Sequence, residues 1–165
     1  MNTVPAACRR SLCGVALGRD YFMIYTPLTK KALLISFNAH KYQLDKSGMP
    51  YVFHPFHVAE QMKDEYTTCV ALLHDVIEDT DITLNDLRSS GFPDEVVDAV
   101  ALMTHQPDVP YFDYIEKIKS NPIATAVKIA DLAHNMDITR FDEPNEWFLK
   151  KLETYKKAML ILTGT

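Results

Sequence analysis

No apolar run in the 165-residue sequence approaches the ~20 residues that span a bilayer, so no membrane role is expected. Basic residues are not in excess either. Lys and Arg number 17 against 22 Asp and Glu, a formal net charge of −5. Non-specific nucleic-acid binding needs a basic footprint, so that class is set aside. An anionic substrate would have to be attracted locally, by a metal ion or a few placed lysines. Cysteine is sparse: Cys8, Cys13 and Cys69 are an odd number without a paired framework. That excludes a disulfide scaffold and fits a reducing, cytoplasmic compartment. Cys69 lies in an apolar run and reads as core, while Cys8 and Cys13 lack the second ligand pair of a structural zinc site. No stretch alternates with the period of a strand between hairpin turns, and no repeat occurs.

What is present describes one domain with a real core, at 47% apolar and 24% charged residues. In residues 1–22, Arg9 and Arg10 precede a short Leu12–Leu17 stretch broken by Gly14, too short for a signal peptide. These residues read as a weakly ordered tail, with Met23 a candidate start and the domain running over 23–165. Thr26 and Pro27 open a first helix with an apolar face of Ala32, Leu33, Ile35, Phe37 and Ala39, reaching about Gln43. Gly48 and Pro50 mark a loop, and Pro55 sits near the start of a second helix that ends near Asp64. A third helix is expected over Thr67–Asp79. Thr83 and Asp86 resemble a capping box that opens a short helix stopped by Gly91. Further helices are expected from Pro93 to His105, Tyr111 to Lys119, Pro122 to about Ile138, and Pro144 to about Leu162. The expected fold is all-α.

The densest chemistry lies at the end of the third helix, where His74, Asp75, Glu78 and Asp79 fall within six residues. On one continuous helix His74 would lie above Glu78 and Asp75 above Asp79. Carboxylates near a helix C-terminus meet both the macrodipole and one another unfavourably, so a nearby cation is called for. Alone, the segment reads better as a solvated acidic helix end. The rest of the chain reverses that reading. His54 precedes a proline at a helix start, and Asp131 is flanked by apolar residues mid-helix, where a buried charge needs a partner or a metal. His54, His74, Asp75 and Asp131 make an N2O2 set suited to manganese, iron, cobalt or zinc, with positions left open for water and substrate.

Three segments, Lys46-Ser47-Gly48-x-Pro50-Tyr51-x-x-His54-Pro55, Ala71-Leu72-Leu73-His74-Asp75-Val76-Ile77-Glu78-Asp79-Thr80 and Val127-Lys128-Ile129-Ala130-Asp131-Leu132-Ala133-His134-Asn135-Met136, occur in order. Together they resemble the H…HD…D pattern of the HD metal-dependent phosphohydrolases. The likeness is nearest to the hydrolase domain of the Rel/Spo enzymes and the stand-alone small alarmone hydrolases, and it covers about Thr26 to Leu162. The resemblance implies a single-domain, multi-helix HD fold. It also implies removal of the 3′-pyrophosphate from guanosine tetra- or pentaphosphate with a divalent metal, usually Mn2+. Hydrolysis without synthetase activity is expected from the length. Metal ligands would be His54, His74, Asp75 and Asp131, and the ion would lower the pKa of a bound water and polarise phosphoryl oxygens. Glu78 and Asp79 would orient the water and accept its proton. Lys46, Ser47 and Asn135 would contact substrate; Lys128 would face phosphate or solvent. His57 reads as packing or surface, His134 as a helix brace, His40 and His105 as helix-end residues, and Tyr111 and Tyr114 as core or pocket wall. Where the family has an arginine that packs on guanine, this chain has Asp45. A carboxylate cannot stack, so weakened guanine binding is expected, with Asp45→Arg lowering KM; a carboxylate reading the N1 and N2 donors of guanine is the other reading. Another nucleotide substrate (NADPH or a deoxynucleotide) and a catalytically silent alarmone-binding module are the alternatives. The intact Glu78 and Asp79 argue against the silent module.

Overall fold

A computed structural model describes residues 23–141, 143 and 146–164. The expected tail at 1–22, with Cys8 and Cys13, and the expected helix start at Pro144 lie outside the described residues.

Local chemistry sets the helix starts. The Thr26 hydroxyl accepts from the Thr29 N–H at 3.1 Å, and the Thr29 hydroxyl accepts from the Thr26 N–H at 2.8 Å. This reciprocal cap, with Pro27 at the first position, opens α1 (Pro27–His40). α2 is Phe53–Glu60. Asp64 caps α3 (Glu65–Leu73) by accepting from the Thr67 N–H at 2.9 Å, an earlier start than the expected Thr67. α4 is the single turn Val76–Asp79. The Thr83–Asp86 capping box forms as expected, opening α5 (Leu84–Ser89), and Gly91 ends it at φ +82°, a conformation that favours glycine. α6 is Asp94–Met103, α7 Tyr111–Ile118, and α8 Pro122–Asn135, which Asn121 caps at the Ile123 and Ala124 N–H groups. A 3-10 turn over Ile138–Arg140 follows, and α9 is Glu146–Thr163. Among the described residues the one β feature is an isolated bridge between Leu44 and Pro50, so the all-α reading holds.

α3 is the centre. Every residue from Thr67 to Leu73, Cys69 included, is buried, as expected of a helix that other helices surround on all sides. α1, α2, α6 and α8 pack around it. The cap on α5 gives a stability test: Thr83→Ala should cost about 1 kcal/mol (range ~0.5–2) in denaturant unfolding.

One expected element is corrected. The helix over Thr67–Asp79 does not run continuously; it breaks at His74–Asp75, between α3 and α4. The Ala71 carbonyl, which an unbroken helix would offer to the Asp75 N–H, accepts from His74 Nδ1 at 2.7 Å. Both residues keep right-handed backbone angles, and the Asp75 carbonyl still accepts from the Asp79 N–H at 2.9 Å.

Candidate metal centre

The four expected ligands come from α2, the α3–α4 junction and α8, and they converge. His54 lies at the start of α2, His74 and Asp75 in the α3–α4 break, and Asp131 in α8. His54, His74 and Asp131 are buried, with donor atoms within 4.8 Å of one another. His54 Nε2 stands 3.3 Å from His74 Nε2, 3.2 Å from Asp131 Oδ1 and 3.6 Å from Asp75 Oδ2. His74 Nε2 is 3.0 Å from Asp75 Oδ2 and 3.8 Å from Asp131 Oδ1. Ligand bonds of about 2.1 Å at right angles place neighbouring donors ~3 Å apart, so these separations fit the edges of one coordination polyhedron.

The outer atoms of the ligands are held as well. His74 Nδ1 is engaged by the Ala71 carbonyl, which turns Nε2 inward. His54 Nδ1 meets His134 Nδ1 at 2.7 Å. For the His54 Nε2 lone pair to face a metal, Nδ1–H must donate, so His134 must be neutral with its own Nδ1 accepting. Burial, with His54, Arg140 and His57 nearby, pushes His134 down to about 3, which keeps it neutral at physiological pH. His134 thus holds the His54 ring rather than bracing its own helix. Asp131 accepts from Asn135 Nδ2 at 2.6 Å on Oδ1, and Lys128 Nζ lies 2.9 Å from Oδ2. Tyr51 donates to Asp75 Oδ2.

Electrostatics follow this geometry. Burial would raise Asp131, but Lys128 and the two histidines hold it well below the usual carboxylate range. Asp75 is likewise held low against burial, chiefly by His74. Burial would lower His74, yet Asp75 and Asp131 raise it to about 10, so a proton supplies positive charge where a divalent ion would. Two inward imidazoles and two carboxylates, each braced from behind, are a donor set that fits a divalent transition ion.

His54, Asp75 and Asp131 line a cavity of about 700 Å³, together with Glu78, Asp79, Lys46, Lys128 and Asn135; His74 lies behind them and is not among the lining residues. Glu78 is pinned through Oε2, which accepts the His105 N–H at 3.0 Å; His105 is therefore at the cavity and not merely at a helix end. Asp79 is raised by burial and by the charges of Asp75 and Glu78. Lys128 and Asn135 are both engaged by Asp131, so their first task is to hold that carboxylate. Ser47 is not among the cavity-lining residues; its N–H and hydroxyl donate to Asp45 Oδ1 at 2.8 and 2.7 Å. Lys46 Nζ lies 5.9 Å from the Trp147 ring centroid. Tyr111 and Tyr114 form cavity wall, and the buried Tyr111 hydroxyl has no hydrogen-bond partner among the described residues. His57 is half exposed and stacks on His134 with ring centroids 4.6 Å apart, while buried His40 is held through Nδ1 by Gln43 Oε1. Tyr51, Arg140, Trp147, Lys151 and Tyr155 also line the cavity without having been expected there.

No protein-family model matches the chain. Over 140 residues it is 34% identical to a "Probable GTP pyrophosphokinase" of Mycobacterium leprae, covering 77% of this chain and 18% of that protein. Over 122 residues it is 34% identical to the "Bifunctional (p)ppGpp synthase/hydrolase SpoT" of Escherichia coli K12, covering 65% of this chain and 17% of that protein. The chain thus spans about a sixth of the length of the curated relatives it matches. Its fold resembles a solved structure described as a metazoan ortholog of SpoT that hydrolyses ppGpp, with a TM-score of 0.70, 24% identity, and coverage of 86% of this chain and 89% of that one.

Proposed function

We propose that this chain, which belongs to the HD-domain family of the Rel/SpoT-type alarmone enzymes, removes the 3′-pyrophosphate from guanosine tetra- and pentaphosphate. The observation that carries the reading is the meeting of His54, His74, Asp75 and Asp131 beside a cavity whose lining includes three of them with Glu78 and Asp79. The reading is one of hydrolysis without synthesis, with Mn2+ as the ion and the cytoplasm as the compartment. When bound, the ion supplies Lewis-acid polarisation of the phosphoryl group and acidifies water. Among the described residues no helix is long and apolar enough to cross a membrane.

The chain's own residues supply position and proton acceptance. Asp79, raised above the ordinary carboxylate value, is the better-matched base of the pair, because a carboxylate with a raised pKa holds a transferred proton more firmly. Glu78, fixed by the His105 N–H, orients the attacking water. Four basic side chains line the cavity, and two are already paired: Lys128 with Asp131, and Arg140 with Asp45. Lys46 and Lys151 are then the cations for the substrate's phosphates, with Tyr111 Oη a further donor.

A nucleotide panel tests the reading. Mn2+-loaded protein should release pyrophosphate from guanosine tetraphosphate and leave guanosine diphosphate. NADPH and deoxynucleoside triphosphates should remain intact. Turnover of either of those with none of the tetraphosphate would replace the alarmone by that substrate.

A further inference from the structure

Arg140 has no part in the metal cluster, yet it lines the cavity beside the loop that carries Lys46. Its Nη2 donates to Asp45 Oδ2 at 2.6 Å and its Nη1 to the His134 carbonyl at 3.2 Å. Both ends of the guanidinium plane are thereby anchored. Asp45 is fixed in turn: Oδ1 accepts from the Ser47 N–H, the Ser47 hydroxyl and the Met49 N–H, at 2.8, 2.7 and 3.0 Å. The pair is largely withdrawn from solvent, with side chains 17% and 10% exposed. Asp45 is held down to about 2: burial opposes ionisation, and the hydrogen bonds from Ser47 and Arg140 overcome it.

A guanidinium can recognise a ligand through its in-plane donors, which suit phosphate, or through its flat face, which suits an aromatic ring. Here each Nη gives one N–H, one to Asp45 and one to the His134 carbonyl, and the charge is balanced by a carboxylate at contact distance. Arg140 lines the cavity together with Phe141 and Trp147, and a guanidinium pinned at both Nη atoms and neutralised by Asp45 suits a flat ring better than a phosphate. We propose that the Arg140–Asp45 pair is a stacking platform for the substrate's nucleobase, reached from the turn after α8 instead of from the loop that Asp45 occupies. This rests on the nucleotide reading above and deepens it. Asp45 is then not a gap in base recognition but the anchor of the residue that provides it. The expected effect of Asp45→Arg reverses: two guanidiniums would face each other, and guanine binding would weaken.

Trp147 is the single tryptophan of the chain and lines this cavity, so its fluorescence reports binding directly. The experiment titrates guanosine diphosphate and inorganic pyrophosphate into Mn2+-loaded full-length protein. Arg140→Ala should weaken guanosine diphosphate binding ~2- to 30-fold while pyrophosphate binding stays within about twofold. Arg140→Lys should behave the same way, because a lysine drawn to Asp45 offers no flat face. It also keeps the ion pair, so it decides the matter if Arg140→Ala fails to fold. Equal loss of both ligands, or recovery of guanosine diphosphate binding in Arg140→Lys, would make Arg140 an anion grip or a purely structural residue and overturn the platform. Unchanged guanosine diphosphate binding in both variants would do the same. Wild-type protein that neither binds guanosine diphosphate nor hydrolyses the tetraphosphate would instead overturn the alarmone reading itself.

Discussion

His74→Ala and Asp75→Ala should each lose the bound divalent ion and, with it, turnover. Each removes a donor that stands 3.0 Å from the other, so neither loss can be made good by its neighbour. Loss of an outer partner of a metal site typically costs ~10- to 100-fold in affinity or activity, and loss of a ligand should exceed that. The measurement is metal content after dialysis, with kcat on guanosine tetraphosphate. Full turnover of either variant in the presence of a chelator would remove the four residues as a metal centre. The same geometry sets a pH dependence. In the metal-free protein Asp75 and Asp131 raise His74 to about 10, so at neutral pH a proton occupies the nitrogen that an ion needs. Apparent metal affinity should therefore fall about tenfold per unit as the pH drops below that value, each ion displacing about one proton. Activity should fall as well, through loss of the ion. A free histidine would set the loss below about 6.5; the neighbouring carboxylates move its onset upward. Metal affinity that stays flat between pH 6 and 9 would contradict this account of His74.

The parts of this molecule that could be read from the sequence are those determined by neighbours in the chain. Thr26 with Pro27, Thr83 with Asp86, and Asn121 with Pro122 each cap or start a helix through contacts within three residues. The convergence of the candidate metal set was legible because a buried charge is costly: an aspartate at position 131 amid apolar helix sequence requires a partner. The break at His74–Asp75 was not legible, because Val70 to Asp79 has no glycine or proline to mark it. It coincides with the His74 ring bonding back to the Ala71 carbonyl. Arg140 was missed for a different reason. Its partner Asp45 lies 95 residues earlier, and a departure from a family pattern shows that something is absent without showing what replaces it. Lys128 and Asn135 lie within about one turn of Asp131 in the sequence, but that spacing does not show that both engage its carboxylate.

Asp79→Asn and Glu78→Gln should retain the metal and lose turnover by ~10²-fold or more, the scale of a lost general base or water-orienting carboxylate. The structure separates the two residues. A glutamine at 78 keeps a carbonyl oxygen that can still accept the His105 N–H, so the loop after α6 stays in place and only the negative charge is lost. An asparagine at 79 removes the carboxylate whose pKa is raised by burial and by Asp75 and Glu78, leaving no side-chain proton acceptor there. The larger loss should therefore fall on Asp79→Asn. A pH profile identifies the base. Asp79 must be ionised to accept a proton, so wild-type kcat should fall on the acid side through a value above the ordinary 3.8 of aspartate. Metal loss contributes a second acid limb, which saturating Mn2+ moves away. Under saturating Mn2+ the carboxylate limb should persist in Glu78→Gln and vanish from the residual activity of Asp79→Asn. Persistence in both variants would take the base role away from Asp79. Metal loss equal to that of Asp75→Ala would make the pair ligands instead.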